Sequence, residues 1–271
     1  EEEVSGDGKA FPLSIARYPG AFHPAGHQFL DLFEGGPVPR ATYRIGDVTV
    51  AREVRMVRGA ATVLVRWTVE GGGGPRELRL RPFLPCREAA ALTRENVYLD
   101  GRAREIPGGF SARPYPSLPG ISVTAAPAGR FSVEPHWYRQ VEFEDGREDQ
   151  FTPGVLVVPV EGGGRVVVAA TIGPAVGDPA ALWRAEERRR PKGRPRAGIA
   201  GDLDASADAF LGRGGVVSGY PPSADGGREG LIALPGLTLA RGLVKECGEV
   251  LAAGAPPGAE AWWLRAAGLF A

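Results

Sequence analysis

Cysteine is almost missing from this chain: two residues in 271, Cys86 and Cys247, in dissimilar surroundings. That excludes a disulfide framework and a cysteine-built metal site. Net charge is missing too, because Lys+Arg and Asp+Glu both number 32 and the pI is about 7.1. No global field draws the chain to nucleic acid or to an anionic membrane, and a neutral partner such as a sugar fits at least as well. No apolar run reaches the roughly 18 residues that would cross a bilayer, and no charged-then-apolar leader opens the chain. Nor is there a GxSxG elbow, a P-loop, a GxGxxG after a strand or a Cys/His pair. The one methionine is Met56, and the opening EEEVSGDG reads as the middle of something, which leads to the expectation of a fragment or processed product. The default setting is reduced and cytoplasmic.

Glycine and proline are abundant, at 40 and 25, yet hydrophobic residues make up 43%, too many for a disordered or collagen-like chain. The glycines recur as turns between apolar runs of period two. Expected strands are Phe11 to Ala16, Ala41 to Ile45, Val48 to Val57, Ala61 to Val69, Leu78 to Phe83, Ile121 to Ala125, Phe131 to Pro135, Val141 to Glu144, Val155 to Val160 and Arg165 to Ile172. Arg58-Gly59-Ala60 and the EGGG after Val160 are hairpin-length connections. This pattern predicts a mainly β fold, a large antiparallel two-sheet sandwich over residues 1–175, interrupted by Pro- and Gly-rich excursions such as Asp100 to Gly120.

The pattern changes at Gly173. Asp178 before Pro179 reads as a helix N-cap and first position, and the following arginines suit a helix C-terminus. PKGRPRAG (Pro191 to Gly198) is the best linker candidate. Beyond it Leu203, Ala207, Phe210 and Leu211 fall on helical spacing, so residues 176–212 read as a helical linker. Residues 213–271 continue as helices, split near Gly242, with Pro235-Gly236 capping or kinking the first. The tail carries Trp262, Trp263, Leu264, Leu269 and Phe270, an apolar surface through which the chain could self-associate.

Two constellations carry possible chemistry. Trp137 and Tyr138, beside Arg139 and the acidic EFEDGREDQ, offer flat aromatic faces for the CH face of a pyranose and a charged rim for its hydroxyls. The same residues also suit the cover of a sheet edge beside a solvated loop. Asp225, Arg228 and Glu229 sit in a polar glycine-rich loop that runs into an apolar segment, the layout of a ligand-site mouth, although Glu229 equally suits a helix N-terminus. Glycoside hydrolysis would need two carboxylates about 5 to 9.5 Å apart, a separation that sequence does not measure. His23 and His27, around Pro24 and Gly26, read as a turn rather than as metal ligands.

Several segments, in order, resemble the bacterial and archaeal glycogen debranching enzyme family. They are Tyr18, Gly20, Pro24 and Gly26 (Y-x-G-x-x-x-P-x-G); PVPRATY; Glu53 to Met56; RPFLPCRE; Trp137-Tyr138; Glu148-Asp149 to Pro153-Gly154; and GYPPSADGGREGLIALPGLTL (Gly219 to Leu239). The resemblance implies an N-terminal β-supersandwich linked by helices to an (α/α)6 toroid that removes α-1,6-linked glucose from glycogen, limit dextrin or related α-glucans, without a cofactor. By position Asp225, Gly227 and Arg228 match the family's W-G-R-D step, whose Arg and Asp hold glucose hydroxyls, and Glu229 stands where the Asp is expected. The family's aromatics are replaced by Pro222-Ser223 and Gly226, and Arg87-Glu88-Ala89-Ala90 lacks the His of an R-D-Y-H-like step. Residues 213–271 would then be the truncated start of the toroid, the catalytic acid and base would lie outside the chain, and the chain alone would be inactive. The alternative is a non-catalytic carbohydrate-binding or structural sandwich.

Overall fold

The computed structural model describes the chain except for residues 7, 37, 89–90, 162, 190–197, 213–214, 218–225, 256 and 271, with the backbone alone at 226. It opens with β1 (Glu2–Gly6), β2 (Lys9–Pro12), β3 (Ile15–Tyr18) and β4 (Ala21–Ala25). A 3-10 turn over Gly26–Phe29 leads to β5 (Leu30–Glu34), β6 (Arg40–Ile45), β7 (Val48–Met56), β8 (Thr62–Glu70) and β9 (Arg76–Leu80). Then come β10 (Ala103–Ile106), β11 (Gly109–Ala112), β12 (Ile121–Ala126), β13 (Arg130–Phe143), β14 (Gly146–Val160) and β15 (Arg165–Ile172). Five strands form one sheet, in the order β13-β14-β9-β1-β2, and eight form another, β10-β11-β12-β15-β8-β7-β6-β5. All these pairings are antiparallel, so the fold is the expected mainly β sandwich.

The core follows from period-two alternation. Val48 and Val50, Trp67 and Val69, and Val166 and Val168 share one cluster with Val4, Leu78, Leu80, Leu156, Val158 and Val160 of the other sheet. The intervening residues Leu64, Val167 and Ala169 are buried as well, under Trp183 of α1 (Pro179–Arg188). Burial on both faces explains why RVVVAATI is apolar without alternation. The Asp178 carboxylate accepts from the backbone N–H of Ala180 at 3.0 Å and of Ala181 at 3.1 Å, which starts α1 as expected. The Arg66 guanidinium lies 4.3 Å from the centre of the Trp183 ring and is itself held by Glu53 and Glu187 at 2.7 Å each. Glu1–Glu187 forms one compact unit and Arg188–Ala271 another.

The second unit contains α2 (Ile199–Ala207), a two-residue hairpin of β16 (Leu211–Gly212) and β17 (Gly215–Val216), α3 (Gly226–Leu237), α4 (Val244–Ala252) and α5 (Glu260–Phe270). Leu231, Leu234, Cys247, Leu251, Ala259 and Ala266 make its core, and the Trp263 indole N–H donates to the Leu251 carbonyl at 3.1 Å. Gly242, at φ 77°, takes the left-handed conformation that separates α3 from α4, and α3 runs through Pro235 to Leu237.

Four expectations change. The strand expected over Phe11 to Ala16 is two, because the chain turns at Leu13 and Ser14 to leave the five-stranded sheet. The strands expected at Phe131 to Pro135 and Val141 to Glu144 are one strand, β13, carried across two register shifts. The excursion from Asp100 to Gly120 holds the hairpin β10-β11. On α2, Leu203 is 65% exposed while Asp204, and Asp208 at the start of the 3-10 turn that follows, are buried. Their partner is Arg241, 3% exposed, whose Nη2 lies 2.6 Å from Asp208 Oδ1 and whose Nε lies 3.3 Å from Asp204 Oδ1. The apolar spacing of α2 is real, but a buried cation claims the opposite face. The PKGRPRAG linker lies outside the described residues up to 197.

Removing one member of a buried ion cluster leaves the others uncompensated. Arg241→Ala is therefore expected to destabilise the helical unit by about 3 to 5 kcal/mol. Lys245→Ala, which breaks only an exposed 3.7 Å pair with Glu249, should cost well under about 1 kcal/mol. Urea unfolding followed by circular dichroism compares them, and equal effects would overturn the assignment.

Candidate functional site

Adjacent residues of a strand point to opposite faces, and this separates Trp137 from Tyr138. Trp137 lies opposite Phe151 of β14, ring centres 5.4 Å apart. Tyr138 packs against Phe83 at 5.0 Å and His136 at 5.3 Å, and its hydroxyl donates to Glu1 Oε2 at 3.0 Å. It lines a cleft of about 570 Å3 together with Tyr18, Phe22, Pro24, Tyr43 and Phe83. Burial, and then the nearby Glu1 carboxylate, pushes the Tyr138 phenol up to about 12. Burial likewise raises the phenols of Tyr18 and Tyr43.

The polar rim of the cleft is held by ion pairs. Arg17 Nε lies 2.8 Å from Glu142, which Arg147 also holds at 2.9 Å, and Arg52 donates to Glu2 at 3.1 Å. Aromatic faces, guanidiniums and carboxylates thus open on one space, an arrangement that can stack a sugar ring and hydrogen-bond its hydroxyls.

Two residues beyond Tyr138, β13 carries an irregularity. Gln140 takes φ 61°, unusual for a side-chain-bearing residue, at the register shift between Tyr138 and Val141. Its N–H donates to Asp149 Oδ1 at 2.9 Å, and the N–H of Glu95 donates to Asp149 Oδ2 at 3.0 Å. The neighbouring Glu148, 1% exposed, receives Arg87 Nε at 2.7 Å, Gln150 Nε2 at 3.1 Å and the Thr93 N–H at 3.3 Å. Burial alone would raise the Glu148 carboxyl, but the hydrogen bonds from Arg87, Gln150 and Thr93 outweigh it and hold the group below the usual carboxylate range. Gln150, which also lines the cleft, connects this buried latch to the site.

Arg228 and Glu229 are exposed in the first turn of α3, with the Arg228 guanidinium 6.0 Å from the centre of the Trp262 ring. Asp225 lies outside the described residues, as do Pro222 and Ser223. His23 is on β4, and His27 lies in the 3-10 turn, its ring 6.4 Å from that of Phe22. Among the described residues no three His, Cys, Asp or Glu side chains converge as metal ligands would. Both cysteines are free thiols. No described helix is long and apolar enough to cross a membrane. The residues that sequence reasoning passed over as binding groups are Tyr18, Tyr43, Phe83, Arg17 and Arg52, whereas Glu142 opens the acidic EFEDGREDQ segment already read as a charged rim. Three of the cleft's aromatics, Tyr18, Tyr43 and Phe83, sit in segments that carry the family resemblance, and that was the available signal.

Residues 1–167 match the family model described as "Glycogen debranching enzyme N terminal". No curated protein matches. Among solved structures, a heparan sulfate lyase HepC mutant from Pedobacter heparinus aligns with 54% of this chain at 14% identity and a TM-score of 0.31. The chain spans 22% of that protein's length.

A folded-state carboxyl held below its unfolded value contributes stability that is present above the unfolded pKa, about 4.3 for Glu, and is lost as pH falls through the folded one. Glu148→Gln is expected to lower the stability of the sandwich near neutrality by about 3 kcal/mol. The gap from the parent should narrow as pH drops from about 6 to 3. Denaturant midpoints across that range check it, and a gap independent of pH would show that the carboxylate charge is not what holds the latch.

Proposed function

This chain belongs to the glycogen debranching enzyme N-terminal family, and on that premise we propose that it is the N-terminal portion of a debranching-type glucosidase acting on α-1,6-linked glucose of glycogen and related α-glucans. In this reading the sandwich holds the glucan in the Tyr138 cleft. The hydrolytic acid and base belong to the toroid of the parent enzyme, which needs no cofactor for a reaction run by two carboxylates. The reading includes a cytoplasmic setting, and free thiols at Cys86 and Cys247 are in keeping with it. On the helical unit, Arg228 and Glu229, with Asp225 beside them in sequence, are proposed to hold glucose hydroxyls at the cleavage subsite.

The supporting observation is convergence. Segments far apart in the chain, each with its own likeness to the family, deliver Tyr18 and Pro24, Tyr43, Phe83, Tyr138 and Gln150 to one cleft. Packing alone would bury these rings against one another; here Tyr18, Phe83 and Tyr138 stay half-exposed around an open space. A pyranose offers an apolar CH face to such rings and hydroxyls to the Arg and Glu rim. The second reading, a carbohydrate-binding or structural sandwich with no part in cleavage, draws on the same rim. Glu142 is already held by two arginines and Glu1 by a phenol, which suits binding better than proton transfer.

Affinity electrophoresis through glycogen and calorimetry with a linear maltooligosaccharide test the cleft. Tyr18→Ala is expected to weaken binding about tenfold, the equivalent of about 1.4 kcal/mol, without unfolding the sandwich. Trp137→Ala, whose ring packs on Phe151, should cost stability and leave affinity unchanged. Glucan binding that survives Tyr18→Ala and Tyr138→Ala in folded protein would remove the cleft from the proposal. Glucose release from limit dextrin by this chain alone would contradict the assignment of the acid and base to the toroid.

A further inference from the structure

Gln150 stands directly opposite Tyr138 in the pairing of β13 with β14, and residues that face each other across a ladder send their side chains to the same side of the sheet. Both line the cleft of about 570 Å3. Glu148, two residues earlier on β14, shares that side, and the Gln150 Nε2 donates to its Oε1 at 3.1 Å. The same carboxylate receives Arg87 Nη2 at 3.2 Å, Arg87 Nε at 2.7 Å and the Thr93 N–H at 3.3 Å. Against the effect of burial, the hydrogen bonds from Arg87, Gln150 and Thr93 keep Glu148 below the usual carboxylate range, so it is a group that only accepts.

This settles which end of the Gln150 amide faces which way. Turned over, the amide would set its oxygen against the Glu148 carboxylate, acceptor against acceptor, and the buried acid would lose one of its donors. Oε1 is therefore held pointing away from Glu148. Among the described residues no donor reaches Oε1, and it is not one of the polar atoms sealed from solvent. Other polar groups of the cleft are already engaged: Arg17 with Glu142, Arg52 with Glu2, and the Tyr138 hydroxyl with Glu1. We propose that Gln150 is a specificity-determining residue of the cleft, its Oε1 accepting a hydrogen bond from one hydroxyl of a bound glucosyl unit, with Glu148 as the positioning residue that keeps the acceptor turned to the sugar. The inference rests on the reading of the cleft as a glucan site. Stacking on the rings serves any pyranose, whereas this contact asks for a hydroxyl at one position. A site built to bond a hydroxyl discriminates against the analogue that lacks it, because its own acceptor is then left unpaired.

Calorimetry on the full chain, with maltotriose and with its monodeoxy derivatives, tests this. The parent is expected to bind maltotriose and to lose about tenfold in affinity with one derivative. Gln150→Met keeps the length of the side chain, leaves Arg87 and Thr93 on Glu148 and removes the acceptor. It should bind maltotriose about tenfold more weakly than the parent and bind that one derivative no worse than maltotriose. A distorted cleft would weaken every ligand alike and preserve the parent's ranking, so the collapse of one difference marks the direct contact. In Glu148→Gln, whose amide can meet Gln150 with either end, the tenfold difference should shrink, and an unchanged difference in the folded variant would remove the part assigned to Glu148. A parent that does not bind maltotriose refutes the glucan reading and this inference with it. A parent that binds maltotriose and all the derivatives equally, or a folded Gln150→Met variant that keeps the parent's affinity or its tenfold difference, leaves the glucan reading standing and overturns the role of Gln150.

Discussion

A carboxylate sealed from water needs donors, and much of the sandwich around the Tyr138 cleft is arranged to supply them to Glu148. The side chain of Arg87, the backbone of Thr93 and the amide of Gln150 all reach it. Two of these come from the segment between β9 and β10, so meeting the needs of one acid also clamps that segment onto β14. Phe83, four residues before Arg87, is thereby kept where it can face Tyr138. Asp149 does the matching work on the other side by holding the N–H of Gln140 at the shift in β13. The cleft is therefore shaped by polar groups that never enter it. A loss at Glu148 should reach the site through geometry, because breaking the latch frees the chain that carries a ring.

This division explains what sequence could and could not say about the site. The Glu148-Asp149 pair was visible as part of a family-like segment, yet nothing local showed that it faces inward. Acid-rich EFEDGREDQ reads as a solvated loop, because the arginine that neutralises Glu148 is 61 residues away in the chain. Trp137-Tyr138 reads as an aromatic pair, although period two sends the rings to opposite faces. That much was derivable once the segment was taken as a strand. The rest of the cleft was not, since Tyr18, Tyr43 and Phe83 meet only through the pairing of β3 with β4, the order of the eight-stranded sheet and the run beyond β9.

The sandwich itself was far more legible. Val48 to Met56, Thr62 to Glu70 and Arg165 to Ile172 are long β-branched runs in which local preference and tertiary burial agree. Agreement fails where the backbone changes sheets or carries an irregularity. Leu13 and Ser14 are apolar and polar in the expected alternation, but the chain leaves the first sheet between them. Within β13 the insertions after Val133 and Tyr138 mimic the end of one strand and the start of another. On α2 the hydrophobic period was real, yet Leu203 faces outward, because sheltering Arg241 with Asp204 and Asp208 outweighs burying one leucine.

Guanidiniums drawn away from water are covered in more than one way in this chain. Arg241 shows how this chain covers a buried guanidinium when the need is structural: it recruits aspartates from an element more than thirty residues away, even against the hydrophobic pattern of a helix. Arg66 shows a second solution, with two glutamates and the face of Trp183. At Arg76, 7% exposed on the inward face of β9, neither solution is present among the described residues: the guanidinium lies against Gly6 of the neighbouring strand, and beside Gly72, which is glycine because its backbone, at φ +60°, requires it.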